Sequence, residues 1–306
     1  MTDQMKRMKE LSEQLRLASQ AYYQNDEEIM SNLEYDRLYD ELTLLEKNTG
    51  TVLSGSPTVT VGYESVEQLP KERHESPMLS LDKTKSIEEL VAFASAQEVL
   101  VSWKLDGLTV VLTYQNGTLQ KAVTRGNGEV GEVITNNARV FQNIPLHIPY
   151  LGELILRGEA VITYSDFEKI NAESIDAETR YKNPRNLCSG SVRQLNNEIT
   201  AKRHVRFYAF ALVKAEGIDF GNLHSNEFEW LKQQGFETVE YHRVTAKEIP
   251  ETVAWFEQKI QCYDVPSDGL VITYNDIAYG ESLGRTAKFP RNSIAFKWQD
   301  EVRETI

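Results

Sequence analysis

The strongest constraint on the fold is a change in hydrophobic pattern near residue 50. Before it, apolar residues recur at three- and four-residue steps, as on the buried face of a helix: Met8, Leu11, Leu15, Ala18 and Tyr22, then Leu38, Leu42 and Leu45. Ser31, with Glu34 three residues later, has the spacing of a capping box and predicts where a second helix begins. The first fifty positions therefore predict a helical hairpin.

Beyond residue 50 the sequence is typical of strands. The apolar runs, in chain order, are VLVSW, LTVVLTY, LQKAVT, ELILRGEAVI, RFYAFAL, GLVITY and SIAFKW. Asn116-Gly117 lies between two of them and predicts a hairpin, since both residue types tolerate positive φ. Helical patterns intervene from Ser165, with Glu168 at capping-box spacing, and over 227–234 and 246–260. Many strands with scattered helices indicate an α+β domain and not a regular βαβ array.

The composition limits the partners of this segment. A net charge of −13 argues against binding a nucleic-acid backbone unaided, because phosphate neutralisation requires clustered Lys and Arg. No apolar run approaches the ~20 residues of a membrane span, and the N-terminus lacks the apolar stretch of a signal peptide. Cys188 and Cys262 are expected to be buried free thiols in a reducing cytoplasm.

The sharpest local feature is WKLDG at 103–107, in which Lys104 ends a strand-like run and Asp106 and Gly107 follow it. A lysine becomes a nucleophile only when it loses its proton near neutral pH. Partial burial and neighbouring positive charge favour that loss. Taken alone, however, the pattern is more typical of a solvated surface turn.

Further residues along the chain supply complementary chemistry. They are Arg125 in the glycine-rich RGNGEVG, Glu159 within an apolar strand, the aromatics Phe207, Tyr208 and Phe210, Asp268 before GLVITY, and Lys297 within SIAFKW. A carboxylate or an ammonium inside a strand needs a partner of opposite character. Each has a simpler interpretation by itself: a hairpin turn, an edge glutamate, core aromatics. Together they make up an amine, a phosphate-binding cation, a ribose-binding carboxylate, a base-stacking ring and metal-binding acids, which nucleotidyl transfer requires.

The order KLDG, RGE, FYAF, DGLVI, AFKW resembles the motif series of the covalent nucleotidyltransferases, which are DNA ligases, RNA ligases and capping enzymes. YYQNDEEIMSNLEYD in the hairpin and NPRNLCSGSVRQLNNEITAKR at 183–203 resemble NAD-dependent DNA ligases in particular. HESPMLSLD and LGRTAKFPRNSIAFKW also fit. The resemblance covers nearly the whole chain. It implies a helical NMN-binding subdomain at 1–62 and, at 63–306, an adenylation domain of antiparallel sheets with flanking helices.

The resemblance also implies residue roles. Lys104 attacks the α-phosphate of NAD and becomes AMP-lysine, with Asp106 beside it, and Lys297 stabilises the charge on that phosphate. Nucleotide binding is assigned to Ser80, Leu81, Ser102, Arg125, Glu159 and Phe210, where Phe210 replaces a tyrosine that stacks on adenine. Binding of the NMN leaving group is assigned to Tyr22, Tyr23, Asn32, Tyr35 and Asp36. Arg185 and Arg193 are assigned to substrate phosphates. The implied cofactors are NAD and Mg²⁺, without identified metal ligands.

Four positions depart from the family pattern. Ser102 replaces a glutamate that reads the adenine amino group, and Thr273 replaces a lysine. Asn32 and Asn127 each replace an acidic residue. Because the replacement at Thr273 removes a cation from a phosphate site, we expect it to cost several kcal/mol of transition-state stabilisation, and Arg285 is the candidate to compensate.

The family continues into an OB-fold, a four-cysteine zinc module, a helix-hairpin-helix domain and a BRCT domain. The chain is therefore interpreted as an adenylation fragment, and less favourably as a natural short form. We expect it to be monomeric, to self-adenylate, and to seal nicked double-stranded DNA poorly without those domains. Two alternatives remain. One is a non-catalytic NAD-binding module, which the substitutions favour. The other is an ATP-dependent ligase or capping enzyme, which the YYQND…EYD hairpin disfavours.

Overall fold

The computed structural model describes residues 2–25, 29–54, 56–58, 68–75, 77–173, 180–286 and 289–298, without the side chains of 19–25, 32, 33 and 36. Helices α1 (Asp3–Asn25) and α2 (Asn32–Thr49) come first. The Ser31 hydroxyl accepts a hydrogen bond from the Glu34 backbone N–H, which confirms the predicted cap. The hairpin encloses a small apolar cluster: Met5, Met8, Leu11, Leu15, Leu38, Leu42 and Leu53.

After the hairpin, the residues that the structure describes form three sheets. The six-stranded sheet has, in spatial order, β1 (Val52–Leu53), β8 (Pro145–His147), β6 (Thr118–Thr124), β5 (Leu108–Gln115), β9 (Leu154–Val161) and β10 (Arg206–Ala215). The five-stranded sheet has β11 (Tyr241–Val244), β4 (Val99–Leu105), β12 (Ser267–Tyr274), β13 (Ser293–Lys297) and β3 (Asp82–Thr84). A two-stranded ribbon pairs β2 (Lys71–Arg73) with β7 (Val130–Glu132). Among the strands of the described residues, every pairing is antiparallel except β13 with β3.

In the described part of the chain, eight further α-helices flank the sheets: α3 (Ile87–Ala94), α4 (Thr135–Ala138), α5 (Tyr164–Glu173), α6 (Pro184–Val192), α7 (Asn197–Ala201), α8 (His224–Gln233), α9 (Ile249–Lys259) and α10 (Ile277–Ser282). Buried side chains of the two large sheets, such as Trp103, Leu112 and Leu270, belong to one apolar core. The expected α+β architecture, a helical hairpin followed by antiparallel sheets with flanking helices, is confirmed. No described helix is long and apolar enough to cross a membrane.

Several local predictions are confirmed and two are wrong. Asn116 and Gly117 join β5 to β6 with φ of 50° and 73°, as predicted for a tight hairpin. Helix α5 begins one residue earlier than predicted, and its cap is Thr163, whose hydroxyl accepts from the Asp166 N–H. The Ser165 hydroxyl instead donates to Asp264. Of the two free cysteines, Cys188 is buried as predicted, but Cys262 is exposed.

A β-bulge at the start of β12 depends on glycine. The register of β12 against β4 shifts between Ser267 and Gly269, so Asp268 is the extra residue. Gly269 has φ of 155°, and a Cβ atom there would lie 2.0 Å from the Phe296 carbonyl oxygen. Only glycine therefore fits, and its backbone determines where the Asp268 side chain points.

Gly269→Ala is expected to lower the free energy of unfolding by about 2–4 kcal/mol, because the new methyl group clashes with backbone and the φ is strained. Gly217→Ala is the matched control, since Gly217 also has positive φ but nothing lies within 4 Å of its would-be Cβ. Strain alone costs about 1 kcal/mol there. Urea unfolding of both variants tests this, and equal losses would contradict the clash at Gly269.

Candidate functional site

Two lysines occupy one row of the five-stranded sheet. Gly269 on β12 lies directly opposite Lys104 on β4 and also opposite Lys297 on β13. Directly opposed residues share a sheet face, so both lysines project to the same side. Lys104 lies within its strand, one residue before the strand ends at Leu105. The fold thus brings together two residues that are 193 positions apart in the sequence.

Asp268 bridges the two amines. Its Oδ1 lies 2.7 Å from Lys104 Nζ and its Oδ2 lies 2.9 Å from Lys297 Nζ. Burial disfavours the charged carboxylate, but the hydrogen bonds and charges of the two lysines outweigh burial and lower the pKa of Asp268. The sequence showed Asp268 only as an acid before a strand. Its role as a bridge could not be predicted, because the bulge that points it at the lysines depends on strand register.

The turn after Lys104 is held by contacts from two other elements. Arg185, at the start of α6, donates to Asp106 Oδ1 at 3.0 Å. The Gly107 N–H donates to Glu159 Oε1 at 3.1 Å. A Cβ atom on Gly107 would lie 2.0 Å from the Ala160 carbonyl oxygen, so the turn needs glycine to pack against β9. The predicted neighbourhood of Lys104, Asp106, Glu159 and Arg185 is therefore compact.

Glu159 lies in register with Thr109 on β5 and with Tyr208 on β10, and the three side chains share one face of the six-stranded sheet. The Thr109 hydroxyl donates to Glu159 Oε2 at 2.8 Å. Burial raises the pKa of Glu159 to about 7, although the hydrogen bonds from Thr109 and Gly107 and the charges of Lys104 and Arg185 oppose that rise. The carboxylate needs a partner, as predicted, and titrates near neutral pH.

Stability should therefore depend on pH through Glu159. Its pKa is about 7 in the folded state and 4.5 ordinarily, so its stabilising contribution is greatest below pH 4.5 and is lost as the pH rises to 7. Relative to Glu159→Gln, the native chain should lose roughly 3 kcal/mol of unfolding free energy across that range. Denaturant unfolding of both proteins between pH 4.5 and pH 8 measures the difference. Parallel pH curves would contradict it.

The glycine-rich turn 125–131 is well formed despite the substitution at Asn127. The Asn127 side-chain oxygen accepts from the Glu129 and Val130 backbone N–H groups, as an aspartate would. Arg125 donates to the Met78 carbonyl and to the Ser80 hydroxyl, at 3.2 and 3.1 Å. The structure therefore joins two residues that the sequence assigned separately to the nucleotide, Arg125 and Ser80. Leu81 is partly buried beside them.

Thr273 lies away from the lysine row. It is four residues from Gly269 along β12, a distance of about 13 Å in a strand, and its hydroxyl contacts that of Ser293 at 2.9 Å. The expected loss of a cation at the phosphate therefore does not follow.

Ser102 is two residues from Lys104 on the same face, and its hydroxyl donates to the Val271 carbonyl. Phe210 lies at a bulge of β10 and is 38% exposed.

The remaining predicted residues are less closely connected to this site. Arg193 pairs with Glu132, and Arg285 is exposed in the segment before β13. Tyr35 on α2 stacks on Tyr39 with ring centroids 6.4 Å apart. The side chains assigned to NMN at positions 22, 23, 32 and 36 lie outside the described residues. Within the described ranges, no three His, Cys, Asp or Glu residues cluster as a metal site.

The comparisons with protein-family models cover most of the chain. Residues 66–301 match a family described as the NAD-dependent DNA ligase adenylation domain. Residues 1–62 match a family described as the DNA ligase-like, N-terminal NAD+-binding domain.

Proteins of similar sequence agree with these family matches. Proteins called DNA ligase from Ruminiclostridium cellulolyticum and Lachnoclostridium phytofermentans are each 62% identical over 305 residues. The alignments cover 100% of this chain but 46% and 47% of those proteins, so the chain spans about half the length of these relatives. A solved archaeal ATP-dependent RNA ligase is similar over 72% of this chain and 48% of its own, with TM-score 0.43 and 13% identity.

Proposed function

Because this chain belongs to the NAD-dependent DNA ligase family, we propose that it takes AMP from NAD onto Lys104. The observation that carries the proposal is the pair of lysines on one sheet face, bridged by the partly buried Asp268. A nucleophilic amine and a second cation on one face support a site in which an α-phosphate would contact both. We further propose that the NMN-binding and adenylation parts are 1–62 and 63–306.

The transfer balances as a single displacement. The Lys104 Nζ lone pair attacks the α-phosphorus, and the bond from that phosphorus to the bridging oxygen breaks. NMN then leaves with the bridging oxygen and its electron pair. The ammonium of Lys104 loses one proton before the attack, and the attacking amine loses a second as the N–P bond forms, so the product retains one N–H. Asp268, whose Oδ1 lies 2.7 Å from Lys104 Nζ, or water accepts these protons. Lys297 stabilises the charge that develops on the phosphate oxygens, since a fixed cation in a partly dry site needs no reorganisation.

Asp268 positions both amines before the substrate arrives. It holds Lys104 and Lys297 side by side, and the two like charges would otherwise repel each other. When the α-phosphate binds, its negative charge becomes a second anionic partner for both lysines, beside Asp268. Glu159 is proposed to bind the ribose, with Arg125, Ser80 and Leu81 around the nucleotide and Phe210 stacking on the base.

Magnesium, which the resemblance implies, would be bound with the substrate. Mg²⁺ usually takes one or two carboxylates together with substrate phosphates and keeps several waters. Asp106 fits that pattern, because only its Oδ1 is used by Arg185 and its side chain is 30% exposed. Asp106 would hold the hydrated ion, which would supply positive charge near the pyrophosphate.

The DNA partner and nick sealing are proposals that involve more than this chain. The segment 180–206 contains seven Lys or Arg residues and one acid, Glu198, in a chain whose net charge is −13. This segment, which includes Arg185 beside Asp106, is proposed as the local basic face toward nicked DNA. Most of the DNA binding is assigned to the additional residues that the longer relatives have.

We propose that the protein is a monomer in the reducing cytoplasm. The free thiols Cys188 and Cys262 support that compartment.

A donor comparison tests the proposed activity. The chain is incubated with magnesium and either NAD or ATP, and its intact mass is measured. We expect the mass of one AMP group with NAD and none with ATP. An adduct with ATP alone would favour the ATP-dependent alternative. Binding of NAD in calorimetry, without any adduct or NMN release, would favour the non-catalytic module and contradict the proposal.

A further inference from the structure

Two rows of the five-stranded sheet continue, beyond the lysines, the face that carries Lys104 and Lys297. The first contains Ser102, Val271 and Ala295, and the second contains Leu100, Thr273 and Ser293. Each row is about 6.7 Å from the previous one, because alternate residues of a strand share a face. In the other direction β4 and β13 end within one residue of the lysine row. A nucleoside attached to the α-phosphate can therefore lie over this sheet face only on the side of the lysine row where these two rows continue.

The centre of these two rows is uncharged. On β4, β12 and β13 the polar side chains are the hydroxyls of Ser102, Thr273 and Ser293, all of them partly buried. Among the described residues of the same rows, charges occur only on the edge strands. These are Lys83 on β3, and Arg243 on β11, which pairs with Glu98.

Resting on the proposed function, we infer that this chain reads the purine of its dinucleotide with hydroxyl groups and accepts both amino- and keto-purines. The substrate class would then include the hypoxanthine analogue of NAD, with transfer of IMP to Lys104. The bonds formed and broken are the same as with NAD, because the base takes no part in the displacement.

The reason lies in the donor and acceptor character of each group. Adenine presents an amino donor and a ring-nitrogen acceptor, whereas hypoxanthine presents a carbonyl acceptor and a ring N–H donor. A carboxylate only accepts and an ammonium only donates, so either would distinguish the two edges. A hydroxyl does both. In the Thr273–Ser293 pair either oxygen can be the donor, and the Ser102 bond to Val271 is long at 3.3 Å.

The experiment compares kcat/KM for adduct formation with NAD and with nicotinamide hypoxanthine dinucleotide, using intact mass to identify AMP or IMP. We expect a preference for NAD below about tenfold, whereas sites built to bond one partner reject the analogue by on the order of 10⁴-fold. A preference above tenfold overturns the inference. Calorimetry on Lys104→Arg, with the same two dinucleotides, should give dissociation constants in the same ratio.

Ser102→Glu tests whether the hydroxyl at this position is the reason that both purines are accepted. A carboxylate at this position accepts from the adenine amino group and repels the hypoxanthine oxygen, so the NAD preference should rise at least about tenfold. Thr43→Glu on the exposed face of α2 is the matched control and should leave the ratio unchanged. An unchanged ratio in folded Ser102→Glu overturns the inference. If neither dinucleotide gives an adduct, the proposed function fails. If only AMP appears, this inference alone fails.

Discussion

Lys104→Arg is expected to form no AMP adduct, with a loss of at least about 10⁴-fold in the rate of self-adenylation. The arginine keeps the positive charge beside Asp268, so an ion pair with this carboxylate still forms and orders the site. A guanidinium does not lose its proton in proteins, however, and cannot act as the nucleophile. The substitution therefore removes the proposed chemistry while retaining the charge.

Two controls accompany this variant. Lys232→Arg makes the same exchange in an exposed ion pair on α8 and should leave the rate unchanged. Binding of NAD to Lys104→Arg, measured by calorimetry, should persist because the nucleotide contacts remain. Appearance of an AMP adduct in Lys104→Arg at a rate near that of the native chain would contradict the assignment of the nucleophile.

Lys297→Met is expected to slow AMP transfer by about 10²–10³-fold, the usual effect of removing one preorganised group that stabilises transition-state charge. Methionine is of similar length but uncharged, and Asp268 still pairs with Lys104. Single-turnover formation of the adduct measures the rate directly. The loss should fall on the chemical step more than on NAD affinity, since the charge on the phosphate grows in the transition state.

Lys121→Met is the matched control for Lys297→Met. Lys121 lies in a strand and forms an ion pair with Glu72 at the surface. Its removal should change the rate less than threefold or so, because exposed ion pairs contribute little. Lys297→Arg should retain more activity than Lys297→Met. Equal rates for the native chain and Lys297→Met would contradict the phosphate role of Lys297.

Much of the fold follows from local patterns. The 3.6-residue period, the Ser31 cap and the Asn116-Gly117 turn each predict what the structure contains, because they depend on neighbours in sequence. The cap at Thr163 was missed for a related reason. Thr163-Asp166 and Ser165-Glu168 both have capping spacing, and the contact of Ser165 with Asp264, far along the chain, decides between them.

The site was less predictable than the fold. Residue types at Lys104, Glu159 and Lys297 indicated nucleotide chemistry, but their meeting depends on the register of distant strands. The bridge through Asp268 needs a bulge that no local pattern predicts. Register also moves Thr273 from the expected phosphate contact to a hydroxyl pair with Ser293. The roles assigned to positions such as Phe210 and Tyr35 stay predictions.

Lys104 is proposed to carry AMP taken from NAD. The most direct test is to incubate the native chain with NAD and magnesium, digest it, and locate the modified residue by tandem mass spectrometry. We expect one AMP group on Lys104 and an equal amount of free NMN. An unmodified Lys104, or an AMP group on another residue, would contradict it.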